Sequence, residues 1–537
     1  QAFAERDKTE SIQFAEEYAG HFLTGEPIPG IGYEYRRAEV ALPVLTVADL
    51  NGVARGWLEG GRAPVILVNT PEKNRPAVPS PATLLGRFES VRGSEIAAYA
   101  ETVSEEDLVA GPLPPAPIVS ERADTGLGTV EWVLGNGARV ILKPTDFKDD
   151  ELLLHGFGPG GLSLAADSIF ADARFATQLV AVSGLGSFGA VELSKKLAGK
   201  AVSLSPYVGS YEQGVSGQAS PRDAETLFQL VYLHFTAPRQ DDPAIAAFRE
   251  NLRAALANRS ASPQAAFQDT LSVTLSQNHP WSRPLTAGIA DRLRPEIALQ
   301  FYRERFASVA GFTFVLVGSF RPDSIRPLVE RYLGNLPGGG PAQAARDPGL
   351  RPPAGVVERV VREGIEPRGQ TALVFTGPAR VSLAERWRLS ALGEVLEIRL
   401  REELREELGG TYSVGVSPQL ARLPREQYSV SLSFGSEPGL ADSLTRVIFA
   451  EIDSLQRAGP RPGDLAKVKE GFGRSRETAL RENGWWLQQL AVAARDGDPA
   501  APPLEPLLRE ITPESVRDAA RTYLDRSRYV RVTLVPR

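Results

Sequence analysis

One arrangement recurs three times along this chain and constrains its fold more than any other feature: a helix of about three turns followed by a β-rich run. The copies cover residues 45–68, 295–317 and 512–535. The first copy predicts a strand at Pro64–Val68, and in the third Thr512 is a favourable N-cap before Pro513. The copies lie about 220–250 residues apart, a spacing typical of tandem homologous domains.

The residues that open each repeated unit predict strands that are neighbours in sequence. Val130–Leu134 and Arg139–Leu142 flank Asn136-Gly137, a strong signal for a two-residue hairpin turn. Gln370–Phe375 predicts another strand, which leads into a long helical stretch. Strands followed directly by strands indicate an α+β fold rather than an alternating doubly wound one.

Two Pro/Gly-rich joints, at 110–117 and 337–355, divide the 537 residues. They predict three parts: residues 1–110, 118–340 and 355–537. The first part contains only the closing elements of a unit, without an opening hairpin. This pattern predicts that the chain is a fragment of a longer protein or pairs with a missing piece. The absence of methionine and the start at Gln1 suggest either a processed or truncated chain or modified methionines that were not counted.

Composition excludes several classes of function. The net charge is −6, and basic residues alternate with acidic ones, so no basic stripe is available to bind nucleic acid. No apolar run approaches the length of about 20 residues that a membrane span needs. Cysteine is absent, which excludes disulfides, thiolate metal sites and a cysteine nucleophile.

The histidines do not predict a self-contained metal site. The chain has four of them, and none lies in an H-E-x-x-H or H-x-x-E-H pattern. His234 lies in an apolar helix and is predicted to be packed, and His155 and His279 are predicted to be structural. The glycine runs 156–161 and 338–340 lack the Lys-Ser/Thr ending of a phosphate loop and predict turns or linkers.

One segment is more informative about function. Residues 387–408 carry an apolar stripe at helical period and end at Gly409-Gly410, a C-cap signal. A strand is predicted from Thr411, with residues 428–434 as its partner. Arg405 in the last helical turn and Tyr412 at the strand start could both donate hydrogen bonds to one peptide carbonyl. The alternative interpretation is an exposed arginine near a helix C-terminus and a half-buried strand tyrosine.

Residues 404–414, Leu-Arg-Glu-Glu-Leu-Gly-Gly-Thr-Tyr-Ser-Val, resemble the Arg–Tyr segment in the fourth domain of pitrilysin/insulinase-type zinc metallopeptidases. Further segments resemble the same family, and particularly its long bacterial members. They are 140–147, 197–200, 236–239, 332–337 and 481–487. Together these segments extend the resemblance over nearly the whole chain.

The resemblance implies tandem α+β domains, each an antiparallel-rich sheet with helices packed on one face. It implies that 1–110 closes a second domain, and that 118–340 and 355–537 are a third and a fourth. The zinc-binding first domain would be missing. No catalytic residue and no metal ligand is therefore expected on this chain, and zinc is expected in the missing domain.

By the same resemblance, Arg405 and Tyr412 bind the substrate backbone in an endopeptidase that degrades unfolded peptides or proteins. The expected partners are peptide substrates and either the missing N-terminal half or a zinc-bearing partner chain, and the expected location is the bacterial periplasm or outside the cell. The alternative function is a metal-free scaffold subunit that binds peptides or proteins without cleaving them.

Overall fold

The fold is known from a computed structural model that describes residues 2–59, 65–69, 78–95, 104–403 and 411–537; for 58, 59 and 411–413 it describes the backbone alone. The chain divides into two compact units, Gln1–Ser104 and Glu105–Arg537. Among the helices described, none is long and apolar enough to cross a membrane.

The first unit consists of helices whose described residues are all at least partly exposed. The helices are α1 (Ser11–Thr24), α2 (Ile31–Ala41), α3 (Val47–Glu59) and α4 (Pro81–Arg92). The strand predicted at Pro64–Val68 is wrong, because residues 65–69 have no regular secondary structure, and Val65 and Leu67 are each 86% exposed. A strand needs a hydrogen-bonded neighbour, and no described strand pairs with this segment.

The second unit begins with a seven-stranded sheet in the order β1-β2-β3-β7-β4-β6-β5. Its strands are β1 (Ile118–Asp124), β2 (Thr129–Leu134), β3 (Arg139–Pro144), β4 (Leu152–Pro159), β5 (Val202–Val208), β6 (Glu212–Ala219) and β7 (Thr313–Gly318). The predicted hairpin is confirmed, since β2 pairs antiparallel with β3 around Asn136-Gly137. β3 pairs with β7 in parallel, and the other described pairs of this sheet are antiparallel.

Helices cover one face of this sheet and bury a core that includes Trp132, Phe228 and Tyr302. The helices between β4 and β5 are α5 (Asp167–Ala173), α6 (Ala176–Ser183) and α7 (Ala190–Lys196). Those that follow β6 are α8 (Ala224–Thr236), α9 (Asp242–Ser260), α10 (Pro263–Leu275), α11 (Gly288–Arg292) and α12 (Pro295–Arg305). After β7 come α13 (Pro322–Leu328) and a π-helical turn (Val329–Leu333).

A five-stranded sheet follows, in the order β10-β11-β9-β12-β8. Its strands are β8 (Val356–Arg362), β9 (Gly369–Pro378), β10 (Thr411–Ala421), β11 (Gln427–Ser436) and β12 (Tyr529–Val535). Its helices are α14 (Leu383–Glu402), α15 (Ala441–Ala458), α16 (Pro462–Ala479), α17 (Asn483–Asp496), α18 (Leu504–Glu510) and α19 (Pro513–Tyr523). Thr512 caps α19 as predicted, and its hydroxyl accepts a hydrogen bond from the Ser515 N–H at 3.1 Å.

The two sheets share one strand order. β3-β7-β4-β6-β5 in the first corresponds to β8-β12-β9-β11-β10 in the second, and in each the first pair is parallel. The predicted α+β class, with antiparallel-rich sheets and helices packed against them, is confirmed. We call residues 118–333 the seven-stranded module and residues 356–535 the five-stranded module.

The two modules exchange helices, which the sequence did not predict. α17 of the five-stranded module packs on the open face of the seven-stranded sheet, where Trp486 and Leu490 join Val315 and Val317 in one apolar cluster. In return, α10 packs on the five-stranded sheet, with Phe267 in the cluster of Val530, Val532 and Leu534. Each sheet is therefore closed on its second face by the other module, and the apolar area buried this way holds the two together.

Candidate substrate-holding site

The predicted helix that leads to Arg405 forms as α14. Ser382 caps it by accepting a hydrogen bond from the Glu385 N–H at 3.2 Å. The predicted apolar stripe is buried as far as the helix is described, at Leu389, Leu392, Leu396 and Leu400. This burial fixes which side of the helix faces the sheet, so its last described turn has a defined orientation.

The structure does not test the two predicted substrate-binding residues. Arg405 lies outside the described residues, which resume at Thr411, and for Tyr412 only the backbone is described. That backbone belongs to β10, and the predicted pairing of β10 with β11 is confirmed. The register shifts between Thr411 and Val414, a β-bulge of the kind that redirects side chains at a strand end. The roles of Arg405 and Tyr412 remain predictions.

Charged side chains surround the last described turns of α14. The buried Arg399 forms an ion pair with Glu451 at 2.6 Å. Glu402 pairs with Arg461 at 2.5 Å, and Arg461 also pairs with Asp464 at 2.7 Å. The hydrogen bond from Arg461 holds the pKa of Glu402 below its usual range, and both carboxylates raise the pKa of Arg461. These pairs tie α14 to α15 and α16 and anchor the helix just before Arg405.

The outer edge of β10 is partly closed to an added strand. β10 is the edge strand of its sheet. The Val416 N–H donates to the carboxylate of Glu397 on α14 at 3.3 Å, and Pro418 has no N–H to offer. A side-chain cap and a proline are two ways in which proteins block edge pairing, so the middle of β10 does not present a continuous row of donors.

The histidines do not assemble a zinc site. The His279 ring contacts the Pro348 carbonyl at 2.9 Å, and the ring of His155 stacks on Tyr207 at a centroid distance of 5.7 Å. His234 is buried beside Tyr302, and burial lowers its pKa to about 4. Over the parts of the chain that the structure describes, no three His, Asp or Glu side chains form a group that could hold a metal ion. The described residues therefore do not fit a resident zinc.

The first glycine run is only partly a turn. Gly156 and Gly158 lie inside β4, so the prediction of a turn is wrong for them. A Cβ at either position would meet the ring of Phe314 or Phe312 at 2.4–2.6 Å. These glycines therefore let buried aromatic rings lie against the strand. The turn is confined to Gly160 and Gly161, which have φ angles of +132° and +60°.

Sequence reasoning missed a second polar site, a pocket lined by four arginines beside α5 in the seven-stranded module. Three of these arginines, Arg283, Arg292 and Arg294, lie within twelve residues of one another. That clustering was a usable signal, but it does not show which arginines lack an acidic partner. Only the fold shows that.

Comparisons with known proteins agree with this architecture. Residues 292–472 match the family model described as the peptidase M16 inactive domain. The chain is 25% identical over 511 residues to a zinc protease PQQL-like protein of Arabidopsis thaliana, covering 91% of this chain and 50% of that protein. It is 27% identical over 457 residues to the probable zinc protease PqqL of Escherichia coli, covering 83% and 48%.

Residues 292–472 thus match an M16 domain, and the chain is similar to M16, or pitrilysin-like, zinc proteases along most of its length. The crystal structure of the E. coli periplasmic protease PqqL superposes on the whole chain with a TM-score of 0.71 and 22% identity, and the match covers 59% of PqqL. The M16 resemblance inferred from residues 404–414 and the other segments is thereby confirmed. The chain spans about half the length of the curated M16 relatives it matches.

Proposed function

We propose that this chain is the substrate-holding portion of a zinc-dependent M16 endopeptidase that degrades unfolded peptides or proteins. The observation that carries the proposal is a contrast: the chain matches zinc proteases along most of its length, yet its described residues contain no group that could hold a metal. Zinc would then be held by another half of the protein or by a partner chain, and residues 1–110, 118–340 and 355–537 would be parts of a second, third and fourth M16 domain.

Within this proposal, the residues of this chain bind and orient the peptide. Arg405 and Tyr412 would donate hydrogen bonds to a substrate carbonyl near the end of α14. The ion pairs of Arg399 and Arg461 support this role, because they fix the last described turns of α14, which ends three residues before Arg405 in the chain. A charged hydrogen bond contributes roughly 1.5–3 kcal/mol. If it forms only in the transition state, the rate gain is about ten- to hundredfold.

The test places Arg405→Ala and Tyr412→Phe in this chain together with the zinc-bearing half that the proposal requires. Peptide turnover should fall about ten- to hundredfold while the zinc content stays normal. Arg401→Ala, one turn earlier on α14 and paired with Glu397, and Tyr428→Phe on β11 are matched controls that should leave turnover unchanged. Unchanged turnover in both site variants, or stoichiometric zinc on this chain alone, would contradict the proposal.

One observation favours a second candidate, a metal-free subunit that binds peptides without cleaving them: the matching family model is described as an inactive domain. Under this alternative, peptide binding survives and no zinc-bearing half restores turnover. Because E. coli PqqL is described as a periplasmic protease, we also propose a periplasmic location for this chain. Fractionation of cells that express its complete gene tests that location.

A further inference from the structure

The arginine pocket lies between α5 and the segment 280–294 and has a volume of about 540 Å³. The short helix α11 comes just before α12, and in the five-stranded module the short helix α18 comes just before α19 in the same way. α18 packs against the long helix α14, whereas α11 packs against α9. The pocket occupies the space beside α5 that α11 does not fill.

The pocket carries more positive than negative charge. Its charged lining consists of Arg174, Arg283, Arg292, Arg294, Asp167 and Asp172. Only Arg294 is neutralised by an ion pair, which it forms with Asp172 at 2.5 Å. The guanidinium groups of Arg174, Arg283 and Arg292 make no ion pair or hydrogen bond with any residue that the structure describes.

Part of the pocket lining is apolar. Phe170 lines it and stacks on Trp281 at a centroid distance of 4.6 Å, and Leu285 and Ile289 lie beside them. The Arg174 guanidinium lies 5.8 Å from the Phe170 centroid. Burial, and to a lesser degree the nearby Arg259, lowers the pKa of Arg174, as expected for a cation that lacks a counter-charge. An apolar lining reduces solvent screening and strengthens a bond between arginine and a carboxylate.

We propose that the arginine pocket binds an acidic segment of an extended peptide, with substrate carboxylates on Arg283 and Arg292 and apolar side chains against Phe170. This inference rests on the proposed peptide-binding function and names the class of peptide that the seven-stranded module selects. The planar guanidinium groups suit bidentate bonds to carboxylates. The exposed position of Arg283 and Arg292 suits a ligand that arrives from solvent.

The experiment measures binding of two fluorescent, unstructured peptides of equal length to the 537-residue chain. One peptide is rich in Glu, and the other has Gln at every Glu position. The site variant is Arg283→Ala/Arg292→Ala. Its control is Arg303→Ala/Arg321→Ala, which removes two exposed arginines of the same module away from the pocket and gives the same net charge. The wild-type chain should prefer the Glu peptide, and added salt should weaken that preference.

The site variant should weaken binding of the Glu peptide about tenfold or more and leave the Gln peptide unchanged, and the control variant should change neither. Equal weakening by both variants, or no preference for the Glu peptide, would overturn the proposal. Tighter binding of a single-stranded oligonucleotide than of the Glu peptide would also overturn it. The proposed function fails separately, by unchanged turnover in the Arg405 and Tyr412 variants.

Discussion

The seven-stranded and five-stranded modules share a strand order but differ in the helices that follow equivalent strands. In the five-stranded module one helix, α14, follows β9 without a break for 20 residues. In the seven-stranded module three short helices, α5 to α7, cover the corresponding stretch after β4. The continuous helix leads to the predicted Arg–Tyr site, and the broken one leaves the arginine pocket open. The shared topology thus supports two different candidate sites.

The substitution with the largest expected effect tests whether the exchanged helices make the two modules unfold as one cooperative unit. Phe267→Ala removes a fully buried ring that α10 places on the five-stranded sheet. The loss should be about 3–5 kcal/mol of unfolding free energy. Urea unfolding followed by hydrogen exchange should show β7 and β12 losing protection together. Val360→Ala, at an exposed position on β8, is the control. Separate transitions for the two sheets would refute the coupling.

Breaking an ion pair should cost more unfolding free energy in the five-stranded module than in the seven-stranded module. Arg399→Ala leaves Glu451, whose side chain is 16% exposed, without its counter-charge, and should cost about 3–5 kcal/mol. Arg294→Ala should cost less, about 1–3 kcal/mol, because Asp172, although its side chain is only 5% exposed, keeps the hydrogen bond from the N–H of residue 294 at 2.8 Å. Chemical denaturation of both variants measures the difference. Equal losses would show that this backbone N–H does not compensate the carboxylate of Asp172.

The part of acid destabilisation that comes from histidine should originate in the seven-stranded module, since the five-stranded module contains no histidine. Burial lowers the pKa of His234 to about 4, whereas an unfolded histidine titrates near 6.5. Below pH 6.5 the unfolded chain therefore binds a proton that the folded chain does not, and stability falls until about pH 4. Between pH 7 and 5 the loss from this residue is about 2 kcal/mol. In urea titrations His234→Leu should remove that part of the slope, and an unchanged slope would contradict the assignment.

The smallest expected losses of stability come from substitutions at the first turns of the two exchanged helices, α17 and α10. Asn483 at the start of α17 donates to Glu151 at 2.8 Å and accepts from Thr145 at 2.6 Å, which joins the modules. Asn483→Ala should cost about 1–3 kcal/mol, because two partly buried partners lose a bond. Ser262 only caps α10, through a long 3.4 Å bond, so Ser262→Ala should cost about 0.5–1 kcal/mol. Thermal unfolding measures the stability loss in both variants, and a larger loss for Ser262→Ala than for Asn483→Ala would contradict this prediction.

Local patterns in the sequence predicted the elements that depend on near neighbours. The Asn136-Gly137 hairpin, the Thr512 cap and the buried stripe of α14 all formed, because turns, caps and helical period act within a few residues. The predicted strand at 64–68 failed because a strand also needs a partner, which a local apolar run does not supply. The turn predicted at Gly156–Gly158 failed because glycine in a strand can serve close packing as well as a turn.

By itself, the sequence determined the α+β class, the resemblance to M16 peptidases and the lack of a metal-binding histidine pattern, since each depends on residue types and short spacings. It also singled out Arg405 and Tyr412, whose roles stay a prediction. Only the tertiary structure decided that α10 and α17 cross to the opposite sheets. It also decided that Arg174, Arg283 and Arg292 line one pocket without an acidic partner among the described residues. Those features join residues that are far apart in the chain, and no local propensity encodes which surfaces meet.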